Sequence, residues 1–388
     1  MTYVSLSPKH HEWRERAEEV ARRELAPRAA AVDRESRYPT ESMDAFRDLG
    51  WWGLRVSEEH GGLGEGLLTT VLVVEELAKR CPSTAMCFKM HLEGAELVSR
   101  IPTQDQADRL VSRIARGEML CTIAGSETGS GGAWNPAATN SAVERVDGGY
   151  RIDKIRKGYV TSANTADMAY FTCRVGADTP QSQTSALIVE RDRIDWEVVE
   201  PWDGLGMRGN ASSPVLFSGF VPKENLLGEE GGSRANTPKL LPVVLATYAA
   251  VFLGIAEGAY DALAQWITEP GLGGMRRVDG EVLLRRMAEL DIEIQRTQAF
   301  IHAVALAYDE GRVDSLLPFY QAKIAASQTV GRVTTDAMTS GGGTAFAKRL
   351  PFERYFRDGR AAMVMGFADD GAILAVGRTL FPQDQAPS

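Results

Sequence analysis

Apolar and polar positions follow two different periods along the chain, and the period changes twice. From about Pro8 to Gly117, spaced apolar residues stand among Ala, Glu and Arg, as they do on amphipathic helices. Helices are expected over 12–31, after a cap at Thr40 or Ser42, over 67–80 and over 104–116. The first block therefore predicts an all-helical domain.

The second block, from about Met119 to Gly228, changes to short strands separated by turns rich in Gly and Ser. Asp147-Gly-Gly149 lies between two of these segments, where a tight hairpin turn is expected. The block predicts a small antiparallel β domain. Its expected strands are Leu120–Ala124, Ala142–Val146, Tyr150–Ile152, Ala169–Arg174, Ala186–Glu190 and Val215–Phe220.

The third block is helical again. Between Leu241 and Leu263, apolar residues are spaced by three and four positions, which predicts one long helix. Further helices are expected over 282–310 and 317–340, and Gly341-Gly-Gly343 is expected to stop the second of them. The whole pattern predicts an α+β fold with the sheet inserted between two helical layers. The expected domains are a helical domain over 1–118, a middle β domain over 119–235 and a helical domain over 236–388.

The most apolar run, Leu240–Ala256, is 17 residues long and contains Pro242. A membrane-spanning helix needs about 20 apolar residues, so this run predicts a buried core helix. The N-terminal residues contain no apolar segment of the kind found in secretory signals. The sequence thus predicts a protein without a membrane association.

Composition and charge exclude several classes of protein. The 388 residues are 44% hydrophobic and 24% charged, which is ordinary for a globular chain and excludes disorder, collagen and a small disulfide scaffold. The net charge of −9 argues against a nucleic-acid partner. Four cysteines without a CxxC pair predict reduced thiols and a cytoplasmic location.

The sequence lacks the common signatures for nucleotide and metal sites. No G-x-G-x-x-G motif opens a β-α unit, and no P-loop is present. The five histidines show no metal-ligand spacing, so no metal site is expected. His91, in Phe88-Lys-Met-His-Leu92, is predicted to be a hydrogen-bonded helix histidine.

Several segments suggest chemistry when they are taken together and in order. They are 50–64 (GWWGLRVSEEHGGLG), 124–132 (AGSETGSGG), 157–167 (KGYVTSANTAD), 205–209 (LGMRG), 221–228 (VPKENLLG) and 351–360 (PFERYFRDGR). In order and spacing these segments resemble the acyl-CoA dehydrogenase family, from about residue 10 to residue 380. The resemblance implies an N-terminal helical domain, a middle β domain and a C-terminal four-helix bundle. It also implies a bound FAD, or less typically FMN, and a homodimer or homotetramer.

The resemblance assigns cofactor contacts to particular residues. The glycine-rich loop would offer Ser126, Ser130, Gly131 and Gly132 to the flavin, although the family's proline and final Ser-Asp are absent. In the strand that follows, Tyr159 would stack near the flavin, and Thr161 and Ser162 would lie at its reactive edge. Thr339, Gly342 and Gly343 would contact the flavin cofactor of a neighbouring subunit. Arg276 would replace the family's phosphate-binding arginine from a shifted position.

The expected catalytic base is missing. Family members remove the α proton of an acyl thioester with a glutamate, while hydride leaves the β carbon. The two positions that carry this glutamate in the family are Gly366 and Val244 here, and neither can accept a proton. Asp369 and Asp370 are the candidate replacements, about one helical turn beyond Gly366.

Three functions remain open from the sequence. The first is α,β-dehydrogenation of an acyl thioester on coenzyme A or a carrier protein, with an unidentified electron acceptor. The second is a monooxygenase or oxidase that uses reduced flavin and O₂ and needs no carboxylate. The third is an acyl-binding homologue without catalytic activity.

Overall fold

The computed structural model describes residues 4–127, 138–270 and 274–382. The first block is helical, as predicted. Its first helix begins at Pro8, because the Ser7 Oγ accepts a hydrogen bond from the His10 backbone N–H at 3.3 Å. Its helices are α1 (Pro8–Val20), α2 (Ala29–Glu35), α3 (Thr40–Asp48), α4 (Leu67–Arg80), α5 (Pro82–Arg100), α6 (Gln104–Gln106) and α7 (Ser112–Ala115), with π-helical turns at Ala21–Leu25 and Ala107–Val111.

The middle block forms a seven-stranded sheet with the order β1-β4-β2-β3-β7-β6, and β5 lies on the other edge of β4. The predicted hairpin is present, since Val146 pairs with Gly149 across the turn. The strands are β1 (Cys121–Ala124), β2 (Ala142–Val146), β3 (Gly149–Val160), β4 (Met168–Val175), β5 (Ser185–Glu190), β6 (Asp195–Val198) and β7 (Ser213–Pro222).

The sheet is mixed rather than purely antiparallel, which corrects the prediction. β4 pairs in parallel with β1, where Cys121 faces Met168, and with β2, where Val143 faces Val175. The other pairings are antiparallel. Apolar alternation marks which residues form strands, but it does not encode which distant strands meet or in which direction.

The third block contains α8 (Ser233–Thr268), α9 (Glu281–Asp309), α10 (Leu317–Phe346), α11 (Phe352–Gly359) and α12 (Asp369–Leu380). The glycine triplet was predicted to stop a helix. Instead, Gly342 makes a kink at φ 55° and ψ −143°, and a further helical turn follows as far as Phe346. The change of direction is therefore present, although the helix does not end there.

The helices of the first and third blocks pack directly against each other, so they do not form layers on either side of the sheet as the sequence suggested. They share one apolar core, and the sheet has a second core of its own. Two glycines of α8 allow the close approach, because a Cβ at Gly254 or Gly258 would lie 2.4 Å from the Glu75 or Lys79 carbonyl oxygen of α4.

The core position of α8 agrees with its apolar composition. Residues Pro238–Thr268 are long and apolar enough to span a membrane, but 89% of the most apolar stretch is buried inside the protein. This is the burial expected for the core helix of a large helical domain.

The 351–360 segment joins the three blocks. The guanidinium of Arg357 donates to both carboxylate oxygens of Asp33 on α2, at 2.8 and 2.7 Å, and to the Leu205 carbonyl oxygen at 3.2 Å. Next to it, Asp358 accepts the Met207 backbone N–H at 2.7 Å. The loop 202–212 is thereby held between α2 and α11, which positions it for the site described below.

Candidate active site

One large cavity opens between the sheet and the helices, and we call it the central cavity. Its wall is built by α5, by residues at β1 and β3, by the loop 202–212, by α8 and by the loop 364–366. Its empty volume is about 1080 Å³, part of which is open to solvent. These elements come from all three blocks of the chain, so the cavity forms only in the complete fold.

One end of the central cavity is polar. Thr161 and Ser212 line it with their hydroxyl oxygens 2.9 Å apart, and the Thr122 hydroxyl donates to the Thr161 carbonyl oxygen at 2.6 Å. Asn210 and Ser126 complete this end. The buried Asn210 Nδ2 has no hydrogen-bond partner within the described part of the chain, which is costly unless a ligand accepts from it.

Two aromatic side chains stand beside the polar end. Tyr159, at the end of β3, is 49% exposed and meets the edge of Trp202 with ring centroids 6.2 Å apart. Trp202 is held in place because its indole N–H donates to the Met207 carbonyl oxygen at 2.9 Å. The two rings stand at 90° to each other, so one ring of the pair can present its face to a planar ligand while the other supports it.

The remaining lining of the central cavity is mostly apolar, and we call this part of the wall the apolar end. Flexible methionine side chains from α5 form part of it, and such side chains adapt to ligands of varied shape. The apolar lining residues are Met86, Met90, Ile123, Val244, Val364 and Met365.

The position expected to carry the catalytic glutamate cannot hold a side chain in this structure. Gly366 has a φ of 78°, and a Cβ there would lie 2.8 Å from the aromatic ring of Tyr248. The second expected position, Val244, lines the cavity with an apolar side chain. The ring of Tyr248 therefore occupies the space that a side chain from residue 366 would enter.

Asp369 and Asp370, the candidate replacements, are not among the residues that line the central cavity. Asp369 accepts from the Lys323 ammonium at 2.7 Å and from the Ser327 hydroxyl at 2.6 Å. Asp370 is exposed in the first turn of α12. The structure thus joins Asp369 to α10 and leaves Asp370 in solvent.

A carboxylate that the sequence did not indicate does line the central cavity. Glu93 on α5 is 1% exposed, and its Oε1 lies 2.7 Å from the Lys89 ammonium and 2.7 Å from the Thr247 hydroxyl on α8. Lys89 also lies 3.1 Å from the centroid of the Tyr248 ring. Burial lowers the pKa of Lys89 to about 8, although Glu93 opposes this shift.

Comparison with known proteins assigns the fold. The model of the acyl-CoA dehydrogenase N-terminal domain matches residues 7–118, and that of the C-terminal domain matches residues 245–380; together they cover more than half of the chain. The chain belongs to the acyl-CoA dehydrogenase family. It is accordingly a flavin-dependent oxidoreductase that acts on acyl groups, and FAD is the typical cofactor of the family.

Individual relatives are similar along nearly their whole length. The short-chain specific acyl-CoA dehydrogenase of Clostridium acetobutylicum is 26% identical over 374 residues, which are 95% of this chain and 97% of the relative. Butyryl-CoA dehydrogenase of Megasphaera elsdenii superposes with a TM-score of 0.89 at 22% identity, over 97% of this chain and 99% of that one. A prolyl acyl carrier protein oxidase, AnaB, superposes with a TM-score of 0.87 at 17% identity, over 97% and 100% of the two chains.

The polar end of the central cavity fits the flavin of an acyl-CoA dehydrogenase. The unpartnered Asn210 Nδ2 can donate to a ring carbonyl, and the hydroxyls of Thr161 and Ser212 can hydrogen-bond to ring heteroatoms. Tyr159 and Trp202 provide the stacking surface. Asn210, Ser212 and Trp202 were missed in the sequence because they lie in an irregular loop about 50 residues after Thr161; the flanking Leu205-Gly-Met-Arg-Gly209 segment was the available signal.

The other expected cofactor residues are placed differently. Ser162 is buried, has a φ of 59° and accepts a hydrogen bond from the Tyr38 hydroxyl at 3.2 Å, so it lies behind the cavity wall. Arg276 is exposed and pairs with Asp279 at 3.0 Å. Thr339, Gly342 and Gly343 lie on α10 outside the cavity wall. Ser130, Gly131 and Gly132 lie outside the described residues.

The histidine and cysteine predictions concern structure rather than catalysis. His91 is a hydrogen-bonded helix histidine as predicted: its Nδ1 accepts from the Cys121 backbone N–H at 3.0 Å, and its Nε2 lies 2.9 Å from the Trp52 carbonyl oxygen. All four cysteines are free and buried. Within the described ranges, no cluster of His, Cys, Asp and Glu could hold a metal ion.

Proposed function

We propose that this protein dehydrogenates an acyl thioester between its α and β carbons in the central cavity, with the thioester carried by coenzyme A or by a carrier protein. The observation that carries this proposal is that one cavity has both a polar part and an apolar part. A polar end with an unpartnered amide donor adjoins an apolar end that accepts an acyl chain.

Residues at the polar end would bind the cofactor, and residues at the apolar end would bind the acyl chain. Bound FAD supplies the two-electron acceptor that takes hydride from the β carbon. Asn210, Thr161 and Ser212 would hold the polar edge of the flavin, and one ring of the Tyr159–Trp202 pair would stack against it. Met86 and Met90 position the acyl chain and exclude water, which strengthens polar interactions at the reacting carbons.

The apolar end would hold the acyl chain. Its lining comes from α5, α8 and the loop 364–366, and the Tyr248 ring fills the space beside Gly366. The likeness to an acyl-CoA dehydrogenase and to a carrier-protein oxidase leaves both carriers in the proposal. The arm that links the acyl group to either carrier has the same chemistry, so the cavity need not distinguish them.

We also propose that Arg276, Thr339, Gly342 and Gly343 contact the flavin of a neighbouring subunit in a homodimer or homotetramer. Their exposed positions support this arrangement, because none of them lines the cavity of its own chain. Sedimentation velocity of the FAD-loaded protein measures the assembly directly.

An anaerobic titration tests the proposed reaction. We expect the purified protein to carry FAD and its absorbance near 450 nm to bleach when acyl thioesters are added, because the acyl group reduces the flavin. A panel of acyl-CoA and acyl-pantetheine thioesters of increasing chain length identifies the preferred acyl group. Ser212→Ala tests whether the polar end holds the cofactor. We expect it to lower FAD affinity and to leave folding intact.

Two results would contradict the proposal. If no thioester bleaches the flavin, but substrate is oxidised when a flavin reductase and O₂ are supplied, the protein is an oxygenase. If thioesters perturb the flavin spectrum without reducing it under any condition, the protein binds acyl groups without oxidising them.

A further inference from the structure

We infer that Glu93 on α5 is the base that removes the α proton, in place of the glutamate that residues 366 and 244 do not supply. This inference rests on the proposed function, because a base is needed only if a thioester is dehydrogenated. It assigns a catalytic residue to a helix of the N-terminal block, whereas both expected positions lie in the C-terminal block.

The placement of Glu93 is the first argument. Among the described residues that line the central cavity, Glu93 is the only carboxylate. Both of its contacts, to the Lys89 ammonium and to the Thr247 hydroxyl, are made by Oε1. These contacts hold Oε1, and the carboxylate lines the central cavity, where it can accept a proton from a bound ligand.

The second argument is the arrangement around residue 366. A side chain there is blocked by Tyr248, and the face of that ring is covered by the Lys89 ammonium. Lys89 in turn holds Glu93, so one continuous set of contacts runs from the blocked position to the available carboxylate. Val244, the other expected position, is one helical turn before Thr247 on α8 and lines the same cavity. The carboxylate is therefore near the place where the family keeps its base.

The proton and electron balance of the step is simple. The α C–H bond breaks, and its proton forms an O–H bond with Glu93 Oε2. The freed electron pair forms the Cα=Cβ bond, and the β hydrogen leaves with its bonding pair as hydride to the oxidised flavin. Lys89 and Thr247 act as positioning residues, because they hold Oε1 and so fix the direction in which Oε2 points.

Proton abstraction is measurable without oxidation. Acetyl-CoA has α hydrogens but no β carbon, so it can exchange hydrogen for deuterium in D₂O and cannot be dehydrogenated. We expect the FAD-loaded wild-type protein to catalyse this exchange, followed by mass spectrometry. Glu93→Gln should lower the exchange rate by about 100-fold or more, the usual contribution of a positioned base, and should retain its FAD.

Matched variants separate this role from a general effect on the fold. Glu96→Gln makes the same chemical change at a buried carboxylate on the same helix, where Glu96 pairs with Arg55 and is not among the residues that line the central cavity. Asp369→Asn and Asp370→Asn remove the two bases suggested by the sequence. All three variants are expected to exchange acetyl-CoA within a few-fold of the wild type.

If the Glu93→Gln protein is too unstable to study, a double variant still tests whether Glu93 is the base. Replacing Glu93 alone leaves the Lys89 ammonium buried without its carboxylate, which is destabilising. The double variant Lys89→Met/Glu93→Gln removes both charges and keeps similar volumes, so it is expected to fold, to bind FAD and still to lose exchange. Lys89→Met alone leaves the carboxylate buried without its cation and without one of the groups that position it, so it should exchange more slowly than the wild type but faster than the double variant.

The outcomes distinguish this inference from the proposed function. If the wild type neither exchanges acetyl-CoA nor bleaches with any thioester, the proposed function fails. If the wild type does both and a folded Glu93→Gln protein exchanges at the wild-type rate, Glu93 is not the base. The same conclusion follows if Glu93→Gln changes only which acyl chains are accepted, because the Lys89–Glu93 pair then recognises a polar acyl group.

Discussion

Glu93 and His91 show how two ionisable residues on one helix take opposite roles. Glu93 lines the central cavity, whereas both ring nitrogens of His91 are engaged outside it, one by a backbone N–H and the other by a carbonyl oxygen. The interpretation of His91 from the sequence was correct, because a lone histidine on an apolar helix is usually satisfied by hydrogen bonds. The sequence contained no signal for Glu93, whose role depends on α8 and the loop 364–366.

The buried His91 predicts a specific loss of stability in acid. Burial lowers its pKa from 6.5 to about 4, so the unfolded chain binds a proton that the folded chain refuses between these values. Its contribution to the free energy of unfolding is therefore full above pH 6.5 and falls as the pH drops toward 4, by about 2 kcal/mol at pH 5. Urea unfolding at pH 7 and pH 5 measures this slope.

His91→Gln is the comparison for that measurement. The amide can keep one of the two hydrogen bonds and does not titrate, so this part of the slope between pH 7 and pH 5 should disappear. Parallel pH profiles for the wild type and His91→Gln would show that another group causes the acid sensitivity.

Several residues that line the central cavity were predictable and others were not. Ser126, Tyr159 and Thr161 line the central cavity, and each belongs to a continuous segment that could be matched in order. Asn210, Ser212 and Trp202 come from a loop whose path is set by contacts to Asp33 and Asp358, which lie far away in the chain. A linear pattern does not carry such contacts.

The helix α5 connects the helical core to the sheet. It brings Met86, Met90 and Glu93 to the central cavity, and Gly94 allows it to approach β1 closely. Its register relative to β1 is fixed by the hydrogen bond between His91 and the Cys121 N–H. The position of the Glu93 carboxylate in the cavity thus depends on two contacts of α5 with β1, one made by Gly94 and one by His91.

Gly94→Ala tests this dependence. The added Cβ would lie 2.8 Å from the Cys121 Cβ, so α5 and β1 must separate. We expect the free energy of unfolding to fall by about 1–3 kcal/mol and the acetyl-CoA exchange rate to fall with it, because Glu93 moves with the helix. Gly331→Ala on α10, where an added Cβ meets nothing within 4 Å, is the control and should be neutral or stabilising. A Gly94→Ala protein as stable and active as the wild type would refute the tight α5–β1 contact.

The elements themselves were predicted better than their connections. The long helices of the third block follow from apolar spacing, although α8 is buried on nearly all sides between 240 and 259. The parallel pairing of β4 with β1 and β2, the short strand β6 and the kink at Gly342 were not predicted. Each depends on packing between segments that are distant in the sequence, whereas propensity and period describe only neighbours.

Asp33 and Arg357 join the first and third blocks across 324 positions of the chain. Their side chains are 13% and 17% exposed, and the two parallel hydrogen bonds form a bidentate pair, which is stronger than a single surface ion pair. The same guanidinium holds Glu353 and the loop that contains Leu205. The wall of the central cavity near Trp202 therefore depends on this pair.

Asp33→Asn should weaken the whole molecule rather than one helix. The amide cannot accept both guanidinium bonds or balance the charge, so we expect a loss of about 1–3 kcal/mol in the free energy of unfolding and weaker FAD binding. Glu35→Gln, which breaks an exposed pair with Arg34, is the control and should change stability by less than about 1 kcal/mol. Urea unfolding and FAD titration measure both effects. Unchanged FAD affinity in Asp33→Asn would show that the cavity wall does not depend on the Asp33–Arg357 pair.

The shared helical core has a consequence for biosynthesis. The α4 surface that packs on Gly254 and Gly258 is complete early in translation, but α8 emerges only about 170 residues later. At roughly 5–20 residues per second, that surface waits on the order of 10–30 s without its partner. The nascent chain therefore exposes an apolar helical face throughout synthesis of the sheet, and a chaperone that shields this face during that interval would raise the yield of native protein.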